Sequence, residues 1–357
     1  MIIFLLLLFI ICLYQFKFSP FDKKSNLIEN GIYSDYMSLE KTTSIKGIFI
    51  MIVLLSHASS YLTLDGSLLD SSFNFIVGNL ISQSMVSLFL FYSGYGVMLS
   101  IDKKGETYVK SIPFKRVLKV LLHFDIAVIL YLIVDIIIGE KVGIKEFALS
   151  LLGWDSIGNS NWYIFDILVL YLLTYVSFII FKNNKGIGLA INVVLCGVFT
   201  IVMHQLKNVW WYDTVMCYAV GMIYYPAKPA IDNFVKKNKI FYWLLLLVTL
   251  GATVICFSFR DNLCFLILKH IFFTLTIVVV TMKFNINNKI LIFLGTHLFS
   301  IYILQRLPMI VMSNLGVENK YLFVILSIAV TIPLALLFDF AVGKIDKKVF
   351  SQKKIQP

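Results

Sequence analysis

The chain has 357 residues, 59% of them hydrophobic and only 14% charged, with a mean hydropathy of +0.87. Soluble domains carry about 25% charged residues, so a soluble fold is excluded. The net charge of +11 then belongs to lysines flanking a membrane rather than to a nucleic-acid surface.

Eleven apolar runs follow one another, near residues 1–16, 46–63, 73–99, 115–139, 160–181, 187–203, 209–225, 240–258, 263–282, 289–305 and 321–342. Most are of bilayer-spanning length. Backbone groups in lipid must be satisfied within the segment, and the runs are too long for barrel strands. The expected fold is therefore an all-α polytopic membrane protein of about eleven helices. The first run lacks a basic leader and a small-residue cleavage site, so it reads as a retained helix. Residues 1–19 then form an extra helix, 20–45 a polar cytoplasmic linker, 46–343 the membrane core and 344–357 a basic cytoplasmic tail. Neither an internal repeat nor a soluble domain is visible.

Lysine and arginine set the orientation. If the connections alternate between two sides, one side holds 24 of the 31 basic residues and the other six, with Lys269 inside a span. The rich side is expected to be cytoplasmic, which puts the N-terminus outside and the C-terminus inside.

Ionisable groups inside spans are costly and point to function. In KGIFIMIVLLSH (46–57), Lys46 and His57 are eleven residues apart, about 16 Å and close to three whole turns. They therefore share a helix face, with Lys46 expected at the cytoplasmic rim. An imidazole is a suitable base for a hydroxyl. SGYGVML (93–99) lies in an apolar span, so its glycines read as a close-packing or kink site. FKRVLKVL (114–121) places Lys115, Arg116 and Lys119 at a helix start. Arg116 and Lys119 share a face, as membrane anchors or as a fork for an anionic ligand.

Further along, Asp125 follows His123, with Asp135 nearer the outer end. Asp166 lies four residues after Trp162. Trp210 and Trp211 read as an interfacial belt beside Asp213. Lys269 and His270 read as snorkelling or helix-contact residues, and His204 and His297 as structural. The five cysteines lie in or beside apolar runs without a paired spacing, which implies neither a disulfide framework nor a metal site.

These pieces, in this order, resemble the membrane acyltransferase-3 family. The resemblance rests on KGIFIMIVLLSH, LFLFYSGYGVML (88–99), FKRVLKVL, NWYIFDILVLYLL (161–173), WYDTVMCYAVGMIYY (211–225) and LGTHLFSIYILQRLP (294–308). It implies transfer of an acyl group, usually acetyl, from cytosolic acyl-CoA to a hydroxyl of a glycan or lipid-linked sugar. His57 would be the catalytic base or transient acyl acceptor, with Asp125 or Asp166 orienting it. Lys46, Arg116 and Lys119 would face the acetyl-CoA donor. Trp162 and Arg306 would serve the acceptor, and Arg306 alternatively the oxyanion. Lys46 stands where many members have Arg, and Asp166 stands one position before a frequent Glu pair. An extra hydrolase-like domain of some members is not seen, so transfer is completed alone or through a partner acyltransferase. The expected partners are acyl-CoA, a surface glycan or lipid-linked sugar and the bilayer, with no nucleic acid and no metal.

Two other classes fit many spans. A proton-coupled transporter or flippase would use intramembrane acids, but no repeated half appears. A glycan polymerase or ligase is disfavoured by outer loops of at most about twenty residues.

Overall fold

The computed structural model describes residues 1–19, 28–64, 66–182 and 184–350. Residues 20–27 of the expected linker and 351–357 of the expected tail lie outside the described residues. The regular secondary structure of the described residues is helical apart from four two-residue strands.

The first helix, α1 (Ile2–Leu13), leads to strands β1 (Lys17–Phe18), β2 (Ile28–Glu29) and β3 (Ile32–Tyr33). Helix α2 (Leu39–Ser59) starts seven residues before the expected span. The Ser38 hydroxyl caps it by accepting from the Lys41 amide, and Glu40 complements the first-turn dipole. Helix α3 (Leu68–Phe73) runs into a π-helical stretch ending at Ile81, where Ser82 turns the chain with φ 46°. Helix α4 (Ser84–Ile112) bends at Gly105, whose φ of 55° is left-handed. Thus most of the expected loop 100–119 is helix. A second π-helical turn, Pro113–Leu118, opens α5 (Lys119–Ile138).

Helices α6 (Ile144–Leu151), α7 (Trp162–Ile180), α8 (Lys185–Leu206), α9 (Met216–Lys237), α10 (Lys239–Ser258) and α11 (Leu263–Lys283) follow. Strand β4 (Phe284–Asn285) pairs antiparallel with β1, Lys17 opposite Asn285. The last apolar runs form α12 (Lys289–Thr296), α13 (Leu298–Leu304), α14 (Arg306–Asn314) and α15 (Lys320–Val349).

Among the described residues, seven helices are long and apolar enough to cross a membrane, or eight if the pair meeting at 61° near His297 is one broken span. A helix nevertheless occupies each of the eleven expected runs. The smaller number has three sources. Helix α1 has only 12 residues, α9 carries two prolines and several charges, and 68–138 counts as one stretch despite its breaks.

Large apolar side chains point outward. Leu247 is 67% exposed and Ile201 65%, as lipid-facing residues are. Polar groups turn inward, including Asp166, His270 and Gln305, all 0% exposed. This inversion identifies a multi-pass membrane protein. The lysine-rich segments meet one another: Lys236 binds Glu29 at 2.6 Å, Lys185 binds Asp102 at 2.7 Å and Lys119 binds Asp346 at 2.6 Å.

Two helix crossings bring backbones together at glycine. A Cβ on Gly47 of α2 would strike the Leu291 carbonyl of α12, and one on Gly295 would strike the Thr43 carbonyl. Gly94 of α4 and Gly221 of α9 form the same reciprocal contact, against the Tyr218 and Phe91 carbonyls. Small residues allow this approach where lipid supplies no hydrophobic drive. Gly94 is the close-packing glycine anticipated in SGYG, whereas a Cβ on Gly96 would meet nothing.

Candidate active site

Helix α2 ends in a serine-rich turn. Ser59 Oγ donates to the Ser56 carbonyl and Ser60 Oγ to the His57 carbonyl, each at 2.7 Å. These bonds help to satisfy the terminal carbonyls, and the His57 carbonyl also accepts from the Ser60 amide at 3.1 Å. His57 thus lies just inside the helix end, half-buried. Its ring is tilted against Tyr302 of α13 at 6.4 Å. Its Nδ1 is enclosed and has no hydrogen-bond partner among the described residues.

Arg306, at the start of α14, closes the cluster. Its Nε donates to Tyr61 Oη at 3.0 Å, and its guanidinium lies 5.5 Å from the Tyr61 ring centre. Its charge is the one that acts on His57. Tyr61 is stacked against Phe323 of α15 at 6.2 Å. Tyr302 stands edge-on to Tyr163 at 5.4 Å, and Tyr163 to Trp162 at 6.1 Å. The α2 terminus, the α13–α14 junction and the start of α7 therefore meet around His57.

The two carboxylates expected to orient His57 do not bond to it. Asp166 is fully buried, with neither oxygen partnered among the described residues. Its charge acts on Tyr163 and Tyr302, so it adjoins the cluster through those rings. Asp125 is half-buried on α5, and its Oδ1 has no partner among the described residues. Nor does it serve His123, whose Nε2 binds Asp346 at 2.8 Å. Residues two apart on a helix point to different faces, which separates the adjacent pair.

A polar chain links α4, α11 and the turn before α9, close to Asp166. His270 Nδ1 lies 2.8 Å from Ser84 Oγ, and its Nε2 lies 3.2 Å from Asp213 Oδ2. All three are buried, Lys269 is 1% exposed, and the Asp213 charge acts on Asp166. Lys269 is therefore enclosed rather than snorkelling, while His270 makes the expected helix contacts. His204 bonds Tyr212 at 2.8 Å, and His297 and Ser300 bind Asp339.

A second site opens at the lysine-rich end of α5. A cavity of about 620 Å³ is lined by Lys104, Lys115, Arg116, Lys119, Tyr108 and Phe350, among others. Arg116 is exposed to it, with its guanidinium 5.9 Å from the ring centres of both Tyr108 and Tyr171. Lys119 lines it too but is tied to Asp346. The π-helical turn Pro113–Leu118 re-aims Lys115 and Arg116, a common use of such turns at functional sites. Lys46 does not line this cavity. It sits two turns inside α2, half-buried and without an ion pair among the described residues.

The acyltransferase domain model, Acyl_transf_3, matches residues 43–340, most of the chain. The chain belongs to this family. No curated protein and no solved structure matches it. Membership makes this acyltransferase a catalyst of acyl transfer.

Sequence reasoning missed three residues of the acyltransferase's site. Tyr302 was visible only as part of SIYIL, Tyr61 follows His57 by four residues, and Tyr163 adjoins the predicted Trp162. An aromatic one helical turn from an ionisable residue is the available signal. It is faint in a chain holding 18 tyrosines and 31 phenylalanines.

Proposed function

We propose that this acyltransferase transfers acetyl from cytosolic acetyl-CoA to a hydroxyl of a cell-surface polysaccharide or its lipid-linked precursor. It works in the plasma membrane, with the lysine-rich end in the cytoplasm, the N-terminus outside and eleven spans. The observation that carries this reading is His57 beside Arg306, half-buried and with Nδ1 unbonded among the described residues, inside a family of acyltransferases.

In this reading His57 takes the proton from the acceptor hydroxyl as that oxygen bonds to the thioester carbonyl carbon. The carbon–sulfur bond breaks, and the proton passes to the departing thiolate. A general base of this kind supplies roughly 10²–10⁴-fold in rate. Arg306 is placed to stabilise the oxyanion, and Tyr61 fixes its orientation through the 3.0 Å hydrogen bond. Trp162 supports the acceptor side through Tyr163.

The basic cavity supplies the donor site. Phosphates of acetyl-CoA meet Arg116 first, with Lys104 and Lys115 around it. Arg suits this task because its planar fork binds phosphate oxygens two at a time. Lys46 contributes positive charge along the same face of α2 as His57.

The test uses membranes, labelled acetyl-CoA and recovery of label in glycan. Arg116→Ala is expected to raise the KM for acetyl-CoA roughly tenfold or more, the loss of one charged hydrogen bond. Arg116→Lys is expected to restore part of it. An unchanged KM in Arg116→Ala would remove this cavity as the donor site. Absence of CoA-dependent labelling with the wild-type protein would remove the reaction itself.

A further inference from the structure

At the other end of α5, sixteen residues and about 24 Å from Lys119, lies a cavity of about 410 Å³. This volume is within the range of small-molecule sites. Its polar lining includes Asp135, Glu140, Glu146, Lys141, Asn314 and Tyr61.

Asp135 is the informative member. The residue is only 6% exposed, yet its carboxylate lines the cavity and has no hydrogen bond or ion pair among the described residues. Its carboxylate therefore opens only onto the cavity, where a bound group is what can supply it with donors. The charges of Glu140 and Glu146 both act on it, so its own neighbours make the deficit larger. Three carboxylates face one lysine in this lining.

The cavity also adjoins the reacting centre. Tyr61 lines it and accepts from Arg306 Nε, and the Arg306 charge acts on His57. Ile310, one turn after Arg306 on α14, lines the same cavity. A ligand held against Asp135 is therefore separated from the His57 cluster by little more than the Tyr61 ring.

We infer that this cavity is the acceptor subsite and that it takes a sugar bearing a protonated amine. The inference rests on the acyl-transfer reading for the word acceptor, but the charge preference stands on the lining alone. An ammonium group presents three donors and no acceptor, which complements clustered carboxylates. A neutral sugar donates through its hydroxyls but leaves the negative charge uncompensated in a partly enclosed site. A uronate or phosphate meets like charge and is rejected. The specificity of this chain would then lie in α5, α6 and the connection between them, while the donor cavity at the other end of α5 stays independent of it.

The test is calorimetric titration of the purified full chain in lipid nanodiscs, at a pH where the sugar amine is protonated. The probes are chitobiose, which carries two amines, its neutral N,N′-diacetyl form and digalacturonate. Chitobiose is expected to bind about tenfold more tightly than the diacetyl form, and digalacturonate most weakly. Asp135→Asn and Glu146→Gln are each expected to weaken chitobiose several-fold and to leave the diacetyl form little changed. Glu146 lies on the exposed surface of α6, so its variant reads charge even if Asp135→Asn fails to fold. Equal binding of the three probes, no binding of chitobiose, or unchanged chitobiose affinity in both variants would overturn the inference. Labelled acetyl-CoA added to the same preparation reads the other claim separately. Charge-selective binding without any transfer would sink the acyltransferase reading of this site and keep the amine preference. Transfer with no charge preference would do the reverse.

Discussion

Replacing His57 by Ala is expected to lower acyl transfer by roughly 10²–10⁴-fold, the usual contribution of a positioned general base. The protein itself should be little affected. The imidazole makes a tilted ring contact with Tyr302 at 6.4 Å, and its Nδ1 has no hydrogen bond among the described residues to lose. Yield, detergent melting temperature and binding of acetyl-CoA should therefore match the wild type while turnover disappears. His57→Gln keeps bulk and polarity but removes the basic nitrogen, so it should be equally inactive. A variant that retained wild-type-like turnover would take His57 out of the chemistry. The polar route through Tyr302, Tyr163 and Asp166 would then become the place to look.

The second large effect concerns the helix crossings. Gly94→Val or Gly295→Val is expected to prevent correct assembly. Overpacking a core commonly costs about 1–3 kcal/mol. Here the added Cβ meets the carbonyls of Tyr218 and Thr43, which cannot rotate away as a side chain can. The cost should sit at or above the top of that range, and α4 would separate from α9, or α2 from α12. Gly96→Val is the matched control, since a Cβ there meets nothing. Size-exclusion profiles and thermal melts of detergent extracts read both. A monodisperse Gly94→Val protein with wild-type melting would contradict the packing described.

The α2–α12 crossing also matters for the site. It lies well below His57 on α2, and α12 leads through the bend at His297 into α13 and α14, which carry Tyr302 and Arg306. Displacing α12 would move these residues relative to His57. Gly295 substitutions that still fold should therefore lose activity before they lose stability.

The membrane architecture was largely legible because it follows from one-dimensional quantities. Length of apolar runs, the ban on unpaired backbone in lipid and lysine placement act segment by segment. The breaks were less legible. Ser82 takes a left-handed turn without being glycine, and only its neighbours in space explain it. The early start of α2 had a local signal, Ser38 followed by Glu40, but EKTTSIK reads as a polar connection. It is helical because Lys41 to Ile45 are buried by packing that the sequence does not display.

The site divides in the same way. His57, Arg306 and the basic residues before α5 announced themselves, because a charge in or beside an apolar run needs a reason. Asp125 carried the same signal and yet bonds to neither His57 nor His123, since the face a helix presents depends on its neighbours. Lys119 looked available and is held by Asp346, 227 positions later in the chain. Tyr61 and Tyr302 carry no charge and were hidden among other aromatics. Asp135 was visible as an acid near a helix end. Its place in one cavity lining with Glu140 and Glu146 arises only when the connection after α5 and the start of α6 fold beside the end of α5.

The most direct measurement is proton NMR of surface polysaccharide from cells lacking this gene, complemented either with the intact chain or with His57→Ala. The account predicts O-acetyl methyl signals with the intact chain and their loss in the deletion and in the His57→Ala cells, at unchanged polysaccharide yield. An unchanged acetyl pattern with less polysaccharide at the surface would contradict it and assign the protein to export or polymerisation instead.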